Sequence, residues 1–214
     1  MDGIQLLHYT KILKGRTVLS DVCLELEKGG IYGFYGHNGS GKTMLLRAVA
    51  GLIVPTEGSV SVFGKQLNEK YAFPENMGLI IENVGFWPDF TGMKNLQLLA
   101  SVRKKIGDEE IRKTIRRVGL DPEDRRVYKK YSLGMKQRLG LAQAVMEEPE
   151  LLLLDEPTNG LDDSGIEQFN TIIREEHSRG ATILLASHDK EELKLLCGRT
   201  FRISDGVVAE EELP

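Results

Sequence analysis

One octapeptide constrains this chain more than any other stretch: Gly36-His37-Asn38-Gly39-Ser40-Gly41-Lys42-Thr43, which fits the pattern G-x-x-x-x-G-K-[ST]. Its glycines let the backbone curl so that consecutive N–H groups converge on one anion. A helix that follows such a loop offers its positive N-terminal end to phosphate groups. The flanks supply that context, with the apolar, strand-sized IYGFY before the loop and the helix-like MLLRAVAG after it. Lys42 is expected to reach the β- and γ-phosphates of a nucleotide, and Thr43 to hold Mg²⁺ through its hydroxyl. His37, Asn38, Gly39, Ser40, Gly41 and Met44, with Gly36, complete the expected nucleotide contacts. A second element should bring a carboxylate near the metal. Leu151–Leu154 reads as a buried strand, and Asp155 stands at its C-terminal end, where ligands bind in α/β sheets. Asp155 is expected to support Mg²⁺, directly or through water, and Glu156 to orient or deprotonate an attacking water. Alone, LLLLDE is equally well an ordinary strand end; the loop gives it meaning.

The rest of the chain fits an α/β protein. Its 214 residues are 41% hydrophobic and 28% charged, with a net charge of −4. That is enough apolar material for a sizeable core, and it excludes disorder of the whole chain. The mildly acidic balance argues against a general electrostatic nucleic-acid binder. Two cysteines, Cys23 and Cys197, do not make a disulfide scaffold. No run reaches the ~20 apolar residues of a membrane helix. The start MDGIQLLHYT lacks the basic and apolar regions of a secretory signal. Strands are expected at Ile4–Tyr9, Val22–Glu27, Ile31–Tyr35, Ser59–Phe63, Gly78–Ile81, Leu151–Asp155, Thr182–Ser187 and Thr200–Ile203. LLLLD and TILLAS do not alternate and read as central parallel strands covered on both faces, whereas SVSVFG alternates and reads as part of an antiparallel flank. Helices are expected at Thr43–Ala50, after a Thr91 N-cap with Met93, Leu96, Leu99 and Val102 on one face, at 108–119, from Ser132 to about Glu147, at Asp162–Ser178 and at Asp189–Leu196. Residues 86–147 hold helices and no convincing strand, so they read as a helical insertion into a core made of 1–85 and 148–214. The basic residues Arg112, Lys113, Arg116, Arg117, Arg125, Arg126, Lys129 and Lys130 lie there; they read as a solvated helix face, with a nucleic-acid or acidic-lipid patch as the alternative.

Three further segments name a family. Tyr131-Ser132-Leu133-Gly134-Met135-Lys136-Gln137-Arg138 lies before LLLLDE, Pro157-Thr158-Asn159-Gly160-Leu161-Asp162 follows it, and His188 follows the strand ATILLAS. This order resembles the ATP-binding subunits of ATP-binding-cassette (ABC) transporters, over essentially the whole chain and most specifically over residues 131–162. The resemblance implies a single P-loop ATPase domain with a mostly parallel sheet, an antiparallel β flank and an inserted helical subdomain. It also implies a head-to-tail pair of such subunits, identical or different, that traps two ATP molecules. Ser132 and Gly134 then match the signature residues that hold the partner's nucleotide, where a hydroxyl, a backbone N–H and a helix N-terminus form an anion site. Asp162 matches the loop that crosses the dimer interface, and His188 the switch histidine at the γ-phosphate. The partner it implies is an integral membrane permease encoded separately, with the chain on the cytoplasmic face of a bacterial membrane and no nucleic acid involved.

Three departures from the family pattern stand out. Leu133 replaces the first of two adjacent glycines, and Met135 replaces the usual glutamine. Glu82 stands where a glutamine is usual; it can still bind Mg²⁺ or order water, or be a plain strand-end glutamate. Leu13 matches the position of an aromatic residue that stacks on adenine, and Tyr9 nearby lies in a strand. Glu82 together with SLGMKQR resembles exporters for bacitracin and lantibiotic peptides. Phe86, Trp87 and Phe90 either form a permease-docking cluster or anchor the insertion on the core. The tail FRISDGVVAEEELP is expected to leave no room for a C-terminal regulatory domain. A soluble cassette ATPase acting on ribosomes or DNA is the rival reading. A GTPase is disfavoured because no N-K-x-D guanine motif is present, and a small-molecule kinase has no use for YSLGMKQR or DEPTNGLD.

Overall fold

The computed structural model describes residues 3–68, 72–82 and 85–213. The apolar runs without alternation become the middle of one sheet. It contains β3 (Ile31–Tyr35), β6 (Met77–Ile80), β7 (Leu151–Asp155), β8 (Thr182–Ala186), β9 (Arg199–Ser204) and β10 (Val207–Glu210) in the order β10-β9-β3-β8-β7-β6. All neighbours are parallel except β9 and β10. Every residue of β3, β7 and β8 is buried, as strands covered on both faces must be. Alternate residues serve two cores. Leu151 and Leu153 of β7 pack with the flanking antiparallel sheet and α1 (Lys42–Val49). Leu152 and Leu154 pack with α2 (Gly92–Arg103), α3 (Asp108–Arg117), α4 (Leu133–Val145) and α5 (Asp163–Ser178). The helix α6 (Lys190–Leu196) precedes β9.

The antiparallel flank has the order β2-β1-β4-β5, with β1 at Ile4–Leu13, β2 at Arg16–Leu26, β4 at Glu57–Val62 and β5 at Lys65–Gln66. The first two strands run well past the expected Ile4–Tyr9 and Val22–Glu27. They meet at a tight turn in which Lys14 (φ 49°) and Gly15 (φ 77°) both take the left-handed conformation that suits a two-residue hairpin. The same device at Asp205-Gly206 (φ 50° and 80°) folds β10 back on β9. The strand β10 was not expected, although Asp-Gly between apolar runs is a hairpin signal.

Helix starts follow their caps. Thr91 Oγ1 accepts from Lys94 N–H at 3.2 Å, Ser132 Oγ from Met135 N–H at 3.2 Å, and Asp162 Oδ1 from Gly165 N–H at 3.0 Å. On α2, Leu96 is fully buried and Met93 and Leu99 are half-buried, but Val102 is 80% exposed, so the apolar stripe ends a turn before the helix does. Residues 86–147 carry α2, α3, a 3₁₀ turn at Tyr128–Lys130 and α4, with an isolated bridge between Thr91 and Val127. Half of the basic residues there are ion-paired, and Lys113, Arg116, Arg125 and Lys130 are exposed. Arg117 donates to Glu175 and Glu176, Arg112 pairs with Glu123, Arg126 with Asp124 and Lys129 with Asp89.

Candidate functional site

Parallel strands place their C-terminal ends on one edge of the sheet, and the motif residues gather there. The loop Gly36–Thr43 leaves β3 and enters α1. Gly36 is obligatory: a Cβ would lie 2.2 Å from the Ile203 carbonyl oxygen and 2.7 Å from Ser40 Oγ. Gly41, at φ 118°, caps α1 from a conformation that other residues avoid. Lys42 Nζ lies inside the loop, donating to the carbonyls of Gly36 at 2.8 Å and His37 at 3.5 Å. His37 faces solvent, its Nδ1 2.9 Å from the Asn38 carbonyl oxygen. Ser40 is buried, and its backbone carbonyl accepts from Gly206 N–H.

Thr43 Oγ1 donates to Asp155 Oδ2 at 2.6 Å, closing a span of 112 residues. The other oxygen, Asp155 Oδ1, is buried without a hydrogen-bond partner. Burial pushes the Asp155 carboxyl above its usual range, against the pull of the Thr43 hydroxyl. A part-buried hydroxyl–carboxylate pair with one free carboxylate oxygen is a hard-oxygen donor set and fits Mg²⁺. Glu156, in the left-handed region at φ 47°, turns back over the loop. Its Oε1 lies 3.7 Å from Lys42 Nζ and its Oε2 2.6 Å from His188 Nδ1. The site therefore joins the ends of β3, β7 and β8. Glu82, beyond β6, sits at φ 58° with its carboxylate on Arg47 of α1 at 2.8 Å; its charge is one of the influences raising Asp155.

A cleft of about 500 Å³ opens over the loop. Its floor includes Asn38, Gly39, Lys42, Thr43 and Met44, and Asp155 and Glu156 line it too. Arg16, Thr17 and Val18 at the start of β2 also line it, and Leu13 does not. Tyr9 is wholly buried and donates to the Ile53 carbonyl, and burial pushes its hydroxyl up to about 12, so it belongs to the core. The family pattern points to Leu13 and not to Arg16, which the two-residue turn after Leu13 brings across from it.

Ser132 and Gly134 lie elsewhere, at the N-terminus of α4, and do not line this cleft. Ser132 is exposed, and its hydroxyl caps its own helix. Leu133 is accommodated by lying over Gly160, where a Cβ would come within 2.5 Å of Leu133 Cδ2. Asp162 caps α5 and accepts from Arg138 at 3.1 Å; the Gly165 N–H and this guanidinium hold its carboxyl below the usual range. Gln137 Nε2 donates to the Pro157 carbonyl at 2.7 Å, so α4 is tied to the segment after β7. Glu192 of α6, which no motif announces and which does not line the cleft, ties together segments that carry site residues. Its Oε2 accepts from Ser187 Oγ at 2.9 Å and Thr158 Oγ1 at 3.2 Å, joining the segments that carry His188 and Glu156. Burial raises its carboxyl above the usual range.

This geometry agrees with what known proteins show. A family model described as "ABC transporter" matches residues 19–159. An ABC transporter ATP-binding protein of Bacillus subtilis (strain 168), YybJ, is 46% identical over 209 residues, 98% of this chain and 96% of its own. The bacitracin transport ATP-binding protein BcrA of Enterococcus faecalis is 41% identical over 94% of this chain, which spans 66% of that protein's length. The lantibiotic transport ATP-binding protein SrtF of Streptococcus pyogenes is 34% identical over 92% of this chain and 85% of its own. Among solved structures, a dimeric bacterial ABC transporter cassette superposes with a TM-score of 0.88 at 24% identity, covering 99% of both chains. The same cassette in a post-hydrolysis state bound to ADP and Pi also gives 0.88, at 22% identity.

Proposed function

The chain belongs to the ABC transporter family as an ATP-binding subunit, and on that premise we propose that it hydrolyses ATP to drive a separate membrane permease exporting a bacitracin- or lantibiotic-like peptide. The observation that carries the ATPase reading is the meeting of three strand ends: Thr43 on Asp155, and Glu156 between Lys42 and His188. The export reading rests on the relatives that transport bacitracin and lantibiotics.

In this reading the loop amides and Lys42 hold the β- and γ-phosphates, and Lys42 exchanges its loop carbonyls for phosphate oxygens. Thr43 and Asp155 hold Mg²⁺, with Glu82 within electrostatic reach. Bound Mg²⁺ neutralises charge on the transferring phosphoryl group. Glu156 accepts the proton of the attacking water, and His188, already hydrogen-bonded to it, fixes its orientation. Ser132 and Gly134 serve the nucleotide of a second subunit; their position away from this chain's own cleft, with Ser132 exposed, supports that role. Asp162 lies across the same interface. Arg16 packs its guanidinium plane on the adenine in place of an aromatic ring. Residues 86–147 act as the helical subdomain on a core of 1–85 and 148–214. The subunit works on the cytoplasmic face of a bacterial membrane. No helix among the described residues is long and apolar enough to cross it, so the permease supplies the span. The transporter relatives disfavour action on ribosomes or DNA.

The test is Glu156→Gln. It is expected to lower ATP turnover by about 10²-fold or more while ATP still binds. Gel filtration with light scattering should then show an ATP-dependent shift from monomer to dimer. Normal turnover would remove Glu156 from the role of base. A monomer with ATP bound would mean that a different cassette or the permease is needed to close the pair.

A further inference from the structure

The outer face of the antiparallel sheet carries a cluster that the nucleotide site does not use. His8 of β1 and Asp21 and Cys23 of β2 present one ligand atom each, all within 4.8 Å of one another, the one such group among the described residues. A bulge makes it. Leu6 pairs with Leu24 and Tyr9 with Val22, so Leu7 and His8 together oppose Cys23. Both Leu7 and His8 are exposed, where regular alternation would have buried one of them. His8 (φ 49°) and Asp21 (φ 47°) each take the left-handed conformation, which turns them onto the face where Cys23 already points.

We propose that His8, Asp21 and Cys23 form a surface site for a divalent ion of borderline-soft character, with Zn²⁺ as the fitting ion. Both partners face the same imidazole nitrogen: Asp21 Oδ1 lies 2.7 Å and Cys23 Sγ 3.6 Å from His8 Nδ1. A Cys–His–Asp nucleophile relay would use one ring nitrogen for the thiol and the other for the carboxylate. Here both partners share one ring nitrogen, and the three atoms lie within 4.8 Å of one another. Tetrahedral bonds of about 2.05 Å to nitrogen and 2.3 Å to sulfur separate those ligands by about 3.6 Å, the spacing that Cys23 and His8 already have. Asp21 needs to open by only roughly 0.6 Å as the ion takes the place of the proton on Nδ1. Thiolate and carboxylate together balance the charge of the ion, and three ligands leave a fourth position open. Sulfur and imidazole donors exclude Mg²⁺, so this site does not compete for the nucleotide's metal.

The experiment is titration of the reduced full chain with Zn²⁺, and in parallel with Co²⁺, in excess Mg²⁺ without nucleotide. One Zn²⁺ per chain is expected with a Kd at or below about 10 μM, and Co²⁺ should give a thiolate-to-metal charge-transfer band. Cys23→Ser should abolish the band, and His8→Ala and Asp21→Asn should each weaken Zn²⁺ binding about tenfold or more. Lys42→Ala should bind Zn²⁺ unchanged, which separates this site from the nucleotide cleft. Cys197 is not a competitor, since burial pushes its thiol up to about 12. Circular dichroism of each variant checks that the fold is kept. No saturable binding in that range, no thiolate band, or binding that survives Cys23→Ser and His8→Ala would each overturn the proposal.

Discussion

Arg16 shows how a single side chain can matter through position rather than motif. Its neighbour across the hairpin, Leu13, occupies the place of an aromatic base platform, yet Arg16 is the residue lining the cleft. A guanidinium plane on a purine face contributes about 1 kcal/mol at an exposed site. Arg16→Ala is therefore expected to raise the Kd for ATP about fivefold, measured by calorimetry on the isolated subunit. Arg16→Phe should restore most of the affinity by supplying an aromatic face. If Arg16→Ala binds ATP as tightly as the parent, the base is held elsewhere. The expectation at Leu13 was drawn from family spacing alone, and spacing along a strand does not say which side of a tight hairpin faces a cleft.

At the scale of elements, the helical insertion is joined to the core through α3 and α5. Arg117 of α3 donates to Glu176 Oε1 at 2.7 Å and to Glu175, and Gln168 of α5 donates to the Arg117 carbonyl at 2.9 Å. The Glu176 side chain is 2% exposed and also accepts from Arg179. Without the Glu176 carboxylate, Arg117 keeps only Glu175 and Arg179 only the Glu148 and Pro149 carbonyls, so two charge-assisted hydrogen bonds are lost at a cost of about 3 kcal/mol. Glu176→Ala should lower Tm by about 6–10 °C in thermal unfolding. Glu175→Ala, at a half-exposed carboxylate, should shift it by no more than about 2 °C. Equal shifts would show that the junction does not depend on the buried carboxylate. None of this was readable beforehand. The sequence offers a basic run and a distant acidic pair, and only the packing of α3 on the core says which charges meet.

Over the whole molecule, the aromatic residues that follow Glu82 divide by burial. Phe86 is buried edge-to-face against Tyr128, so it anchors the insertion. Trp87 and Phe90 are 49% and 38% exposed with ring centroids 6.5 Å apart. Buried Asn95 holds their segment, accepting from Trp87 N–H at 2.8 Å and donating to the Trp87 and Thr91 carbonyls. A rigid, exposed aromatic pair suits a partner helix. The double change Trp87→Ala, Phe90→Ser should leave ATP turnover of the isolated subunit within about twofold. It should reduce the fraction of tagged chain that sediments with host membranes by about fivefold or more. Unchanged sedimentation would remove this pair from the docking surface.

The features legible from the residues alone are those whose physics is local. The loop Gly36–Thr43 declares itself by glycines, a lysine and a hydroxyl within eight positions, and the unalternating LLLLD and TILLA runs declare buried parallel strands. The Thr91 cap acts within three residues and is legible for that reason, whereas Ser132 and Asp162 are legible as helix starts and prove to be caps in the fold. Strand ends on a parallel sheet then bring Thr43 to Asp155. Tertiary structure alone decided the placement of Arg16, Glu192, Asn95 and the His8–Asp21–Cys23 cluster. Each depends on a turn, a bulge or a burial that is set by the register of segments far apart in the chain. Register follows from the packing of both cores at once, which no short window of sequence contains.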